Sequence, residues 1–244
     1  MPDPIFAEPR LAAIYDAFDG DRSDLEAYAA MVDEVGASRV LDIGCGTGSF
    51  ATMLAERGIA VTGVDPALAS LDVARAKPFA ECVTWIHGTA ADVPSLDAGL
   101  AVMTGNVAQV FLEDETWLAT LRAAHRALRP GGRLVFEVRD PARRAWEEWT
   151  PDATHHQLDI PGIGMVETWT ELTAVGLPFV SFRHTYVFGS DGARLESDST
   201  LRLRDRFEIE QALSDTGFEV ADVRDAPDRP GREFVFVAMR RANG

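Results

Sequence analysis

Arg39-Val40-Leu41-Asp42-Ile43-Gly44-Cys45-Gly46-Thr47-Gly48-Ser49-Phe50 decides the fold. Val40, Leu41 and Ile43 form a brief apolar run, which suits a parallel strand covered on both faces. Gly44, Gly46 and Gly48 follow at every second position. Glycine there permits positive φ and lets a ligand lie against bare main chain. Phe50, Met53 and Leu54 then fall at helical spacing, and Gly58 closes the helix. A plain strand-to-helix turn is disfavoured, because three glycines cost chain entropy and return no packing.

A second strand follows at Ile59-Ala60-Val61-Thr62-Gly63-Val64-Asp65, ending in an acid 23 residues after Asp42. A carboxylate about 20 residues past such a turn is placed to accept hydrogen bonds from two ribose hydroxyls. Ahead of Pro66 it could also cap a helix. The turn itself is not the dinucleotide fingerprint Gly-x-Gly-x-x-Gly, since Ser49 occupies the last glycine position. It reads Asp-x-Gly-x-Gly-x-Gly.

Composition narrows the partners. Of 244 residues, 46% are hydrophobic and 25% charged, which is ordinary for a globular chain. The formal net charge of −16 argues against a nucleic-acid partner, which needs clustered Lys and Arg. Acids crowd the stretch before residue 39 and read as a solvated helical surface. Cys45 and Cys82 imply neither a disulfide framework nor a metal site. Neither an export signal nor an apolar run of membrane-crossing length is visible, so a cytoplasmic chain with no membrane partner is expected.

Residues 1–38 read as a helical leader. Two helices are expected over 8–35, one carrying Leu11, Ile14, Tyr15 and Phe18, the other starting at a capping box on Ser23. Cys82–His87, Leu100–Met103 and Leu134–Val138 give three further strands. The helix that should follow the last of these comes late, after Asp205, with Phe207, Ile209 and Leu213. Residues 141–205 therefore read as an insertion. Its period-2 runs predict about three antiparallel strands that extend or cap the substrate side. Phe218–Val223 and Phe234–Ala238 read as a closing hairpin. The core is then 39–140 plus 206–244, and the fold class is α/β: a Rossmann-like, doubly wound, seven-stranded sheet with an antiparallel last strand, N-terminal helices and an antiparallel β insertion.

The glycine turn with Asp65, the segment Gly88-Thr89-Ala90-Ala91-Asp92-Val93-Pro94, and the turn Leu128-Arg129-Pro130-Gly131-Gly132-Arg133-Leu134 together resemble the class I S-adenosylmethionine (SAM)-dependent methyltransferases. The resemblance covers 39–138 well and 206–240 in outline. It implies SAM as cofactor and a small-molecule methyl acceptor receiving its methyl on O, N or C by in-line displacement. Cofactor-binding candidates are then Tyr15 at the methionine end, Asp42, Gly44, Gly46 and Thr47 on the turn, Asp65 on the ribose, and Thr89, Ala90 and Asp92 around the adenine. Thr104 and Asn106 sit at the fourth strand's tip, facing the reactive methyl. Thr89 stands where the family usually has an Asp, so Thr89 and Asp92 both remain candidates for reading the adenine. Asn106 and Gln109 could orient a substrate or satisfy loop main chain.

No residue is singled out as catalytic. His155, His156, His184 and Tyr186 are the candidate bases on the insertion. Two other functions use a similar sheet: an NAD-dependent oxidoreductase, which Ser49 speaks against, and a SAM-binding module without turnover. Oligomeric state is not encoded in these motifs.

Overall fold

The computed structural model describes residues 1–20, 22 and 24–241. Among them, seven strands form one sheet and four form another. The first sheet contains β1 (Arg39–Ile43), β2 (Ala60–Asp65), β3 (Val83–His87), β4 (Ala98–Met103) and β5 (Leu128–Arg139). The second contains β6 (His156–Ile160), β7 (Gly164–Gly176), β8 (Phe179–Phe188) and β9 (Arg194–Arg202). The chain then returns to the first sheet as β10 (Phe218–Asp225) and β11 (Glu233–Arg240).

The large sheet runs β10-β11-β5-β4-β1-β2-β3. β1 to β5 are parallel, and β11 is antiparallel to both its neighbours. Strand order therefore reverses between β1 and β4, and in open α/β sheets a ligand crevice lies beyond the strand ends at that reversal. β1 and β4 are apolar because both faces are covered. Successive residues point to opposite faces. Val40, Leu100, Val102 and Val135 pack under α4 (Asp24–Val35) and α5 (Ser49–Glu56). Leu41, Ile43, Met103 and Phe136 pack on the other face, against Trp117 and Leu121 of α7 (Asp114–Ala127) and Leu213 of α9 (Arg206–Asp215). Between α5 and α7 lies α6 (Leu68–Arg75), and α8 (Pro151–Thr154) precedes the second sheet.

The leader differs from the expected pair of helices. It forms three single turns, α1 (Pro4–Ala7), α2 (Pro9–Ala12) and α3 (Tyr15–Phe18), before α4. Pro4 and Pro9 each open a new turn at a first helical position, which splits the segment. One-turn helices do not hold themselves. Here Ile5, Leu11 and Ile14 are held by Val166, Tyr186 and Phe188 of the second sheet. The expected cap Ser23 lies outside the described residues.

The second sheet has four strands rather than about three. The extra one, β6, is an edge strand whose residues are almost all exposed, so it carries no alternating pattern. Trp146, Val180, Phe182, Leu201 and Leu203 form a second small core at the opposite end of this sheet.

Candidate functional site

The glycines after β1 have different reasons to be glycine. All three adopt positive φ. A Cβ on Gly44 would lie 2.7 Å from the Val107 side chain, and one on Gly48 would lie 2.6 Å from the Trp85 ring. Packing alone therefore requires Gly44 and Gly48 to be glycine, contrary to the expectation that the three glycines return no packing. A Cβ on Gly46 would meet nothing within 4 Å. The turn is bare at Gly46 toward open space, and that space is a cavity of about 710 Å³.

Asp65, at the end of β2, faces the same cavity and is 8% exposed. Its Oδ2 accepts the Gly46 N–H at 2.9 Å, and its Oδ1 accepts the Ala67 N–H at 2.7 Å. Burial pushes this carboxyl up, and the two N–H groups pull it back. α6 takes Ala67 as its N-cap residue, so Asp65 stands outside the helix while still bonding its cap. Each carboxylate oxygen keeps acceptor capacity beyond these bonds.

Asp42 sits beneath the turn, 1% exposed and outside the cavity lining. Its Oδ1 has no hydrogen-bond partner among the described residues. Burial, reinforced by the charge of Asp65, raises its carboxyl to about 7. Thr47 lines the cavity and donates from Oγ1 to Asp16 Oδ1 at 2.5 Å, while Lys77 Nζ reaches Asp16 Oδ2 at 2.6 Å. The leader is thereby fastened to the glycine turn. Tyr15, beside Asp16, lines the cavity too, and burial raises its phenol well above the ordinary range.

Beyond β3, Thr89 and Ala90 line the cavity and Asp92 does not. Asp92 Oδ2 accepts from both the main-chain N–H (2.8 Å) and the hydroxyl (3.0 Å) of Thr89. These donors hold the Asp92 carboxyl below its ordinary value. At the tip of β4, Thr104 and Gly105 line the cavity. Asn106 has φ +62° and turns away, 4% exposed, toward a buried pair of glutamates. Gln109 Oε1 accepts from Arg139 at 3.1 Å and likewise does not line the cavity.

That glutamate pair was not singled out by the sequence motifs. Glu137 and Glu233 both line the cavity. Glu137 Oε1 accepts the Asn106 N–H at 2.9 Å, and Arg229 bonds Glu233 at 2.8 Å. Burial, above all, raises the Glu137 carboxyl to about 7. A charged residue inside the apolar run Leu134–Val138 was the available signal, since carboxylates are rarely buried without a purpose.

The candidate bases lie elsewhere. None of His155, His156, His184 and Tyr186 lines the cavity. His155 pairs with Glu167 at 2.6 Å on an exposed edge. His184 bonds Thr170 at 2.8 Å, and burial lowers its ring to about 4. Burial also pushes Tyr186 up to about 12. From the second sheet, Asp198 and Thr200 reach the cavity instead.

Known proteins fit this arrangement. The methyltransferase domain family matches residues 40–132. Cypemycin N-terminal methyltransferase of Streptomyces sp is 36% identical over 135 residues, 52% of this chain and 55% of the relative. Malonyl-acyl-carrier-protein O-methyltransferase of Serratia marcescens is 29% identical over 188 residues, covering 72% of this chain and 69% of its own. The CcbJ methyltransferase from Streptomyces caelestis superposes with a TM-score of 0.74 at 22% identity, over 94% of this chain and 96% of that one. The sugar N-methyltransferase KedS8 from Streptoalloteichus sp gives 0.73 at 21% identity, over 93% of each chain. These structural likenesses speak to the fold, and the matched domain contains the glycine turn, Asp65 and the Pro-Gly-Gly turn. Residues 40–132 thus match the methyltransferase domain family, and the chain spans about half the length of the first curated relative it matches.

Proposed function

We propose that this chain is a SAM-dependent methyltransferase acting on a small-molecule acceptor. The observation that carries it is the open main chain at Gly46 facing the same cavity as the Asp65 carboxylate. A nucleoside needs both: backbone it can lie against, and an acceptor for its hydroxyls. The residues present fit the cofactor. Asp65 would take the ribose hydroxyls. Thr89 and the Ala90 N–H would meet the adenine, with Asp92 bracing Thr89 from behind. Gly44, Gly46, Thr47 and Tyr15 would surround the methionine portion, with Asp42 supporting the turn from below. Thr104 would stand beside the reactive end, and Asn106 behind it.

When bound, SAM would supply a sulfonium methyl, which an acceptor atom would take in line with the breaking carbon–sulfur bond, whose electron pair would stay on sulfur. The protein's share is alignment and exclusion of water, worth about 7–11 kcal/mol in favourable cases. Phe6, Val110, Phe111 and Leu112 line the cavity and supply apolar walls for that purpose. We assign the 141–205 insertion to the acceptor side, since Asp198 and Thr200 reach the cavity from it. A small-molecule acceptor is also supported by structural neighbours named as an amino pentose methyltransferase and a sugar N-methyltransferase.

Calorimetric titration with SAM, S-adenosylhomocysteine (SAH) and NADH tests this reading. Binding of SAM and SAH without NADH is expected. NADH binding in their place would return the chain to the oxidoreductases. SAM binding without transfer of a deuterated methyl to any acceptor would make it a binding module.

A further inference from the structure

Glu137 lines the cavity. It lies near the end of β5, one residue past the Met103–Phe136 pair that closes the β4–β5 ladder, beside the β4 tip. Its Oε1 is fixed by the Asn106 N–H, and its Oε2 is buried without a hydrogen-bond partner among the described residues. A buried carboxylate oxygen with no donor costs free energy, and a donor brought by a ligand would remove that cost.

The surrounding charge selects the donor. Among the described residues, eight carboxylates line the cavity against two arginines. Both arginines are already engaged by acids: Arg22 by Asp19 and Asp24, Arg229 by Glu233 and Asp228. Arg139 Nε stands 3.8 Å from Glu233, and its Nη1 donates to Gln109. Glu137 has no ion-pair partner among the described residues. A carboxylate or phosphate acceptor would be repelled here. A neutral alcohol would bring one donor and no charge. An ammonium brings several donors and the missing positive charge.

We propose that the acceptor is a small-molecule amine and that Glu137 accepts the proton its ammonium form must lose. This rests on the methyltransferase assignment above. The proton passes from nitrogen to Oε2, the N–H bonding pair stays on nitrogen as the nucleophilic lone pair, and Glu137 becomes a neutral acid that later returns its proton to water. The groups that set its ionisation are Glu233 on β11, Arg229 on the β10–β11 connection and the main-chain N–H groups of Gly105 and Asn106. Arg139, which Tyr15 of α3 also influences, belongs to the same network. A carboxyl that titrates near neutrality suits a base working near pH 7.

The test uses full-length protein saturated with SAH. The probes are 2-phenylethylamine, 2-phenylethanol and phenylacetate, matched to the apolar walls and differing in the polar group. Wild type is expected to bind the amine at least about tenfold more tightly than either analogue, roughly the strength of one charge-assisted hydrogen bond. Amine affinity should rise as pH passes through about 7 and Glu137 ionises. Glu137→Gln should keep SAH affinity within about twofold, lose the amine preference and flatten the pH dependence. Normal SAH binding with no amine preference in the wild type overturns the inference alone, and that comparison needs no variant. An unchanged pH profile in Glu137→Gln overturns it as well. Failure of wild type to bind SAH overturns the methyltransferase assignment together with it.

Discussion

The Gly46 N–H donates to Asp65 Oδ2 at 2.9 Å, tying the turn after β1 to the end of β2. One oxygen of the proposed ribose acceptor thus also sets the shape of the loop on which the cofactor would rest. The neighbouring oxygen performs the same service for Ala67 at the start of α6. Loss of this side chain would therefore act on the ligand twice, once directly and once through the turn.

Filling the turn tests the bare main chain separately. Gly46 has φ +52° with open space beyond it, so a branched side chain there would project into the cofactor's volume. Gly46→Val is expected to weaken SAH binding by more than about a hundredfold, through lost volume and left-handed strain. Far-UV circular dichroism should be retained. Normal calorimetric affinity would contradict the assignment of the turn.

The leader is held to the turn by Asp16, which takes Thr47 on one oxygen and Lys77 on the other. Asp16→Ala should loosen α3 where it meets the glycine turn, while Ile5, Leu11 and Ile14 stay packed on the second sheet. Hydrogen exchange in α3 is expected to quicken, and SAH affinity to fall a few-fold because Tyr15 is held less firmly at the cavity wall. Unaltered exchange in that segment would show that the ion pair does not fasten it.

Apolar packing holds the same leader at its other side. Leu11 is 1% exposed against the second sheet. Leu11→Ala is expected to cost about 2–5 kcal/mol, the usual range for a buried leucine. Urea denaturation followed by fluorescence measures it, and a cost under about 1 kcal/mol would mean that this contact is not maintained in solution.

The buried Asp42 gives stability an unusual pH dependence. Its folded carboxyl is raised to about 7 from an ordinary value of 3.8. The folded state then binds the proton more tightly than the unfolded one, so stability falls as pH rises between those values. This cost is absent below about pH 4 and fully present above about pH 7. Asp42→Asn should raise Tm relative to wild type at pH 8, and the gap should shrink toward pH 4.5. A gap that is constant with pH would remove ionisation as its cause.

The large sheet was legible because its signals are local: apolar strand runs, a glycine turn and an acid at a fixed distance. The leader's break into single turns was not, because Leu11, Ile14 and Phe18 keep helical spacing while their partners, Tyr186 and Phe188, lie over 160 residues away. Strand β6 escaped notice because an exposed edge has no buried face to alternate. Glu137 and Glu233 are neighbours only through the pairing of β5 with β11, and such a pair has no sequence spacing to announce it. Asp92 and Asn106, by contrast, sat in recognisable segments, yet in the fold they support residues of the cavity wall without joining it.

Calorimetric titration of SAH into wild type and Asp65→Ala at matched pH and salt is the most direct measurement. Wild type should bind one equivalent, and Asp65→Ala should bind more than about tenfold more weakly, the loss of roughly one charge-assisted hydrogen bond or more. Equal affinities in the two proteins would contradict the placement of the nucleoside between the glycine turn and Asp65.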